Sequence, residues 1–235
     1  EDSAFSGCTQ LTNLSVDEEN KIYSSADGVL FNKAKSTLIQ YPTGKEGEYA
    51  IPDTVTEISS GAFSECTGLL GITIPNGVVE ILDATFYGCS KLAAVIIPDS
   101  VTGIGYGAFD SCENLANVTI GNGVAGIGGE AFARCKSLTE IVIPDSVVGI
   151  GNGAFLWCSS LTNVSIGSNV TEIGGNAFAY SGVTSIEIPA GVTLIRECLF
   201  DACKRLESVT FHGRVTSIDE RAFADCAALK QIEIP

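Results

Sequence analysis

A phenylalanine returns every 23 residues along most of this chain. Phe63, Phe86, Phe109, Phe132, Phe155 and Phe178 keep that spacing, Phe200 follows after 22 residues, Phe223 after 23, and Phe5 opens the same motif earlier. Three positions past each ring stands a cysteine: Cys8, Cys66, Cys89, Cys112, Cys135, Cys158, Cys203 and Cys226. Only Ser181, in the unit that is one residue short, breaks that column. A fixed internal period of this length marks a stacked array of supersecondary units. One unit, covering Leu69, Ile72, Ile74, Pro75, Val78, Ile81, Phe86 and Cys89, is too short to bury its apolar residues alone. Stacked on its neighbours, it contributes to one continuous core.

Within each unit, L-x-x-I-x-I alternates inward and outward as a short strand does. Pro or Gly then stops the ladder, at Pro75, Pro98, Gly121, Pro144, Gly167 and Pro189. The Gly-rich "IGxGAF" stretch turns the chain back and leaves room for little helix. About ten strands are expected, near 11–16, 46–51, 69–74, 92–97, 115–120, 138–143, 161–166, 183–188, 206–211 and 229–234. The fold class is therefore a mainly β repeat solenoid, read as one array over 1–235. The chain opens and stops in mid-pattern and has no Met, so it reads as a segment of a longer protein.

"IPDSVTGIGYGAFDSCENL" and its siblings resemble the BspA-like leucine-rich repeats over nearly the whole chain. The resemblance implies a right-handed leucine-rich-repeat arc with a parallel sheet on its concave side. It also implies a secreted or surface-attached protein of bacteria or some protists, associated with adhesion to host proteins or other cells.

Residues 17–48 interrupt the period. Phe5 and Phe63 are 58 apart, so one coil carries an insertion. Asp27-Gly28 is a tight-turn pair. Val29-Leu30-Phe31 and Thr37 to Tyr41 flank a polar turn at 32–36, which predicts an antiparallel hairpin over the outer side. Tyr49 and Ile51 re-enter the strand columns.

The net charge of −15 gives neither nucleic acid nor an anionic membrane a basic footprint. No apolar run approaches the ~18 residues of a membrane span. No C-x-x-C pair exists and each coil offers one thiol, so the cysteines read as a buried column rather than as zinc ligands, with Cys198, off the column, at the surface. His212 has no second histidine or nucleophile beside it in sequence. "GNGVAG" at 121–126 matches G-x-G-x-x-G, but no helix follows it, so the phosphate-binding mechanism lacks its helix N-terminus. No catalytic residue, metal ligand or cofactor site is nominated.

What remains is the outward side of the strands. The candidate protein-binding positions are Thr73, Ile96, Asn117, Thr119, Glu140, Val142, Asn163, Ser165, Ser185, Glu187, Ser208 and Thr210. They are small, polar and mildly acidic, without an aromatic ring for sugar stacking, and Ile96 and Val142 flank Thr119 as an apolar spot. The expected function is an extracellular or cell-surface adhesion-type module whose concave face binds a host extracellular-matrix or cell-surface protein. The competing reading is a structural spacer that presents another domain. The chain is expected to be a monomer whose open strand ladders invite end-to-end association.

Overall fold

A computed structural model describes residues 4, 5 and 7–235. Coil after coil stacks in parallel, giving a mainly β solenoid with no helix among the described residues. Eight of the ten expected inner strands form: Gly47–Ala50, Leu69–Thr73, Ala94–Ile97, Asn117–Ile120, Glu140–Ile143, Asn163–Ile166, Ser185–Ile188 and Ser208–Phe211. Residues 11–16 and 229–234 are not strands. In the first case the backbone bonds elsewhere: Leu14 N–H donates to the Gly28 carbonyl, and Gly44 N–H donates to that of Leu11, both at 2.8 Å. The inner ladder is also not continuous. It falls into paired groups of two, two and four strands. Single bonds just before the strands, from Ala93 N–H to Leu70 O and from Ser137 N–H to Glu113 O, bridge the gaps.

Each coil has a second strand that the sequence pattern concealed. The V-x-x-I stretch pairs in parallel through Glu80–Ile81, Gly103–Ile104, Gly126–Ile127, Gly149–Ile150 and Glu172–Ile173, and again through Leu194–Ile195 and Ser217–Ile218. Two residues are too few to display a period, which is why the sequence shows only apolar columns here.

The third side is the return turn, and its backbone is specific. The residues two before and two after each core Phe both have positive φ: Ala84 and Gly88, Gly107 and Ser111, Glu130 and Arg134, Gly153 and Trp157. This curls the chain so that three amides of one coil donate to carbonyls of the next. Gly107, Phe109 and Ser111 donate to Gly129, Ala131 and Ala133, and Glu130, Phe132 and Arg134 donate to Asn152, Ala154 and Leu156, at 2.7–2.9 Å. The bonds run the same way at every coil, which satisfies turn backbone that would otherwise be orphaned.

Inside the three sides the columns close. Rings from Phe63 to Phe223 stack face to face, with centroids 5.2 Å apart and planes within 1° for Phe109–Phe132. Cys66, Cys89, Cys112, Cys135, Cys158 and Cys203 are buried. Each thiol of the central run donates to the carbonyl of the Phe one coil earlier: Cys89 to Phe63 at 3.1 Å, Cys112 to Phe86 at 3.2 Å, Cys135 to Phe109 at 3.3 Å and Cys158 to Phe132 at 3.1 Å. Cysteine suits this place because it packs as a small hydrophobe yet carries a weak donor. Cys8, expected in the column, is the exposed thiol, while Cys198 is half-buried.

The insertion is stitched in rather than laid over the outside. Strands β1 (Tyr23–Ala26), β2 (Val29–Asn32) and β3 (Thr37–Gln40) form an antiparallel meander. Asp27 and Gly28 have φ of 49° and 79°, as a type I′ turn requires. β3 then pairs in parallel with Glu57–Ile58, closing a four-stranded sheet of its own beside the second-strand ladder. Val29, Phe31 and Leu38 enter the core, and Tyr41 caps the ring column 5.0 Å from Phe63.

Tyr41 is fully buried and its hydroxyl has no partner. Burial also pushes its pKa up to about 12. Because an unsatisfied buried hydroxyl is costly, Tyr41→Phe is expected to raise stability by about 1 kcal/mol in urea unfolding. A lower midpoint would show that the hydroxyl is bonded after all.

Candidate functional site

Strand alternation sends Leu, Ile and Val inward and leaves two rows of side chains on the inner face. One row is Ala94, Asn117, Glu140, Asn163, Ser185 and Ser208, and the other is Thr73, Ile96, Thr119, Val142, Ser165, Glu187 and Thr210. Backbone register aligns them: Asn117 pairs with Ala94 and Thr119 with Ile96; Glu140 pairs with Asn163 and Val142 with Ser165; Ser185 pairs with Ser208 and Glu187 with Thr210. All twelve candidate residues are exposed. Ile96 and Val142 are 68% and 64% exposed, each a full aliphatic side chain in water beside Thr119.

The face is acidic. Glu48, Glu140 and Glu187 stand on it, and no outward strand position carries Lys or Arg. His212, at the rim, places Nε2 3.0 Å from a Glu187 carboxylate oxygen. A groove of about 630 Å³ lies at the insertion end, lined by Tyr49, Ile72, Thr73, Ala94 and Ile96 with Glu48 at its edge. A second, more polar hollow of about 500 Å³ lies over Ser165, Glu187 and Thr210. A third, of about 280 Å³, lies over Glu140, Val142 and Asn163. The candidate residues therefore spread over several shallow depressions rather than one. Tyr49 and Ile72 are additions that the outward pattern missed, whereas Ala94 is one of its outward positions. Tyr49 is an inward residue left half-buried at the groove, so the face does hold one aromatic ring, contrary to the sequence expectation.

Away from this face, two buried carboxylates are each answered by an arginine from the next coil. Arg134 forks onto Asp110 and also reaches Glu130, whose other oxygen accepts a 2.5 Å bond from the Tyr106 hydroxyl. Arg221 holds Asp201 at 2.9 Å. Hydrogen bonding to Asp110 raises the Arg134 pKa further. These pairs tie coils together. Among the described residues no group of three or more His, Cys, Asp or Glu is placed to hold a metal, and no helix is long and apolar enough to cross a membrane.

The chain is similar to several solved bacterial structures. One is the leucine-rich-repeat protein of T. pallidum, 28% identical, with 93% of this chain and 92% of that one covered and a TM-score of 0.67. Another is a leucine-rich-repeat protein from Eubacterium ventriosum, 26% identical, with a TM-score of 0.76; 98% of this chain matches 57% of that one. A third, from Bacteroides ovatus, is 24% identical with a TM-score of 0.65, over 96% of this chain and 63% of that one, and shows the fold alone. No curated protein matches the chain. The BspA-type leucine-rich-repeat region model matches residues 41–148 and 125–235, with six copies of the repeat. The chain belongs to the BspA-type leucine-rich-repeat family.

Proposed function

We propose that this chain is an adhesion-type protein-binding module of a secreted or cell-surface protein, and that its inner face takes a host extracellular-matrix or cell-surface protein. The observation that carries the reading is the pair Ile96 and Val142, aliphatic side chains left in water at positions where the fold needs no apolar group. An apolar centre with a polar surround is the anatomy of a recognition surface. Extended solenoid faces are a common site of such recognition. The acidic face favours a partner with a basic patch.

The double substitution Ile96→Glu with Thr119→Arg places two charges in the centre of this surface. Binding to a panel of matrix proteins is expected to weaken by at least about tenfold, a cost of about 1.4 kcal/mol. The thermal midpoint is expected to move little, since both residues are exposed and surface changes stay within about 0.5 kcal/mol. Equal binding by the double variant would favour a spacer that presents another domain. Loss of binding only on altering residues 17–48 would move the site to the insertion.

A further inference from the structure

Asparagine precedes glycine three times, at Asn76-Gly77, Asn122-Gly123 and Asn152-Gly153. The pair is chemically labile. Glycine has no β-carbon to shield its amide nitrogen, so that nitrogen can reach the side-chain carbonyl of the asparagine before it. The attack needs a free glycine amide and a carboxamide able to turn. All three asparagines are exposed, yet the fold meets these two needs unequally.

Asn152-Gly153 lies inside the return-turn ladder. Gly153 N–H donates to the Gly175 carbonyl at 2.9 Å, and the Asn152 side-chain oxygen accepts the Gly175 N–H, also at 2.9 Å. Nucleophile and electrophile are both tied to the next coil. The other two pairs lie at the centre of the turn that follows an inner strand. There the fourth amide bonds the first carbonyl, Val124 to Gly121 at 3.3 Å and Val78 to Pro75 at 3.1 Å. The glycine amide between them has no acceptor among the described residues. Asn122 is partly restrained, because its side-chain nitrogen is 3.4 Å from an Asp99 carboxylate oxygen. That negative charge also opposes ionisation of the nearby Gly123 amide. The Asn76 carboxamide is exposed and makes no hydrogen bond among the described residues.

We propose that Asn76 is a site of spontaneous deamidation. The Gly77 nitrogen loses its proton to solvent base and bonds to the Asn76 side-chain carbonyl carbon; the carboxamide C–N bond breaks and ammonia leaves. Water then opens the cyclic imide at either carbonyl, giving aspartate or isoaspartate, each with a free carboxylate. The net reaction consumes one water and releases one ammonia. Its position gives it an effect. In this turn column Asp53, Asp99 and Asp145 alternate with the neutral Asn76, Asn122 and Ser168. Conversion at Asn76 sets carboxylates on three successive coils. Asn76 also lines the groove beside Tyr49, so the new charge joins Glu48 there. The reaction does not depend on the function proposed for that groove.

The test holds the whole folded chain at pH 8 beside a second sample in urea, and follows each asparagine by peptide mass and isoaspartate content. In the folded chain Asn76 is expected to convert first and Asn122 next. Asn152 is expected to lag Asn76 at least about tenfold, the factor given by about 1.4 kcal/mol of added barrier. In urea the three are expected to convert at similar rates. Equal rates at Asn76 and Asn152 in the folded chain overturn the proposal. So does an Asn76 that stays intact in the folded chain while it converts in urea.

Discussion

Replacing Phe132 by alanine lowers stability by about 3–5 kcal/mol, the range for removing a buried aromatic ring from a packed interior. Phe132 is fully buried and sits between Phe109 and Phe155 at 5.2 and 5.5 Å, with planes within 4°. The ring is one rung of a column, so its loss leaves a void with stacked neighbours on both sides. Those neighbours are held by amide bonds to the coils next to them and have little freedom to close the gap. In a quasi-one-dimensional array each coil contacts only its neighbours, so the lesion also weakens the coupling between the two halves. Urea unfolding is therefore expected to shift to a lower midpoint and to broaden or split into two steps. Thr119→Ala, on the exposed inner face, serves as the control and should stay within about 0.5 kcal/mol. A Phe132→Ala midpoint equal to that of the control would show that the ring column contributes no cohesion.

Raising the pH from 9 to 12 at constant temperature is expected to unfold the protein cooperatively. Burial pushes the Cys66 and Cys158 thiols from 9.0 up to about 12, and those of Cys89 and Cys135 well above 9.0; Cys203 moves the same way. Desolvation of the thiolate is the main cause in every case. In the unfolded chain these groups lose their protons near pH 9, while the folded chain retains them. The unfolded state then binds fewer protons, so the stability these thiols contribute is fully present below pH 9. It is lost as pH climbs toward the folded values, by up to about 1.4 kcal/mol per unit for each thiol. Tyr41 and Tyr49, both raised from 10.0 to about 12, add to the loss above pH 10. Far-ultraviolet circular dichroism against pH measures the transition, and Cys135→Ala with Cys158→Ala should flatten its slope. A thermal midpoint unchanged between pH 8 and pH 11 would contradict the assignment.

The parts of this architecture that were legible in the sequence are those written as columns. Phe109, Cys112 and Leu115 announce an interior because they recur at one spacing and are apolar, and the structure buries them fully. Asn117 and Thr119 announce a surface because they alternate with Val118 and Ile120. The return-turn backbone left less trace. Its positive-φ positions are held by Glu130, Arg134, Trp157 and Asn176 as well as by Gly107 and Gly153, and the former give no hint of a left-handed conformation. Bonds from Sγ to a backbone carbonyl are equally silent, since a buried cysteine looks the same with or without one. The groove beside Tyr49 escaped because inward residues, Tyr49 and Ile72, help to line it, whereas the outward pattern registers only what points away from the core. The meander was half visible. Asp27-Gly28 marked its turn, but the parallel union of Thr37 and Leu38 with Glu57 and Ile58 joins residues 20 apart that share no motif.

The amide ladder along the return turns has one more implication, for how arrays of this kind change in length. From the Phe63 coil to the Phe223 coil, each junction presents three donors on one side and three acceptors on the other, in the same order, whatever side chains the coil carries. Excising a whole coil, or duplicating one, therefore rejoins a matching seam, and recombination between coils can lengthen or shorten the arc without a new fold having to arise. Inverting a coil would set donor against donor. The architecture is thus free in number and fixed in sense, like an arrow that can be drawn longer but has only one head.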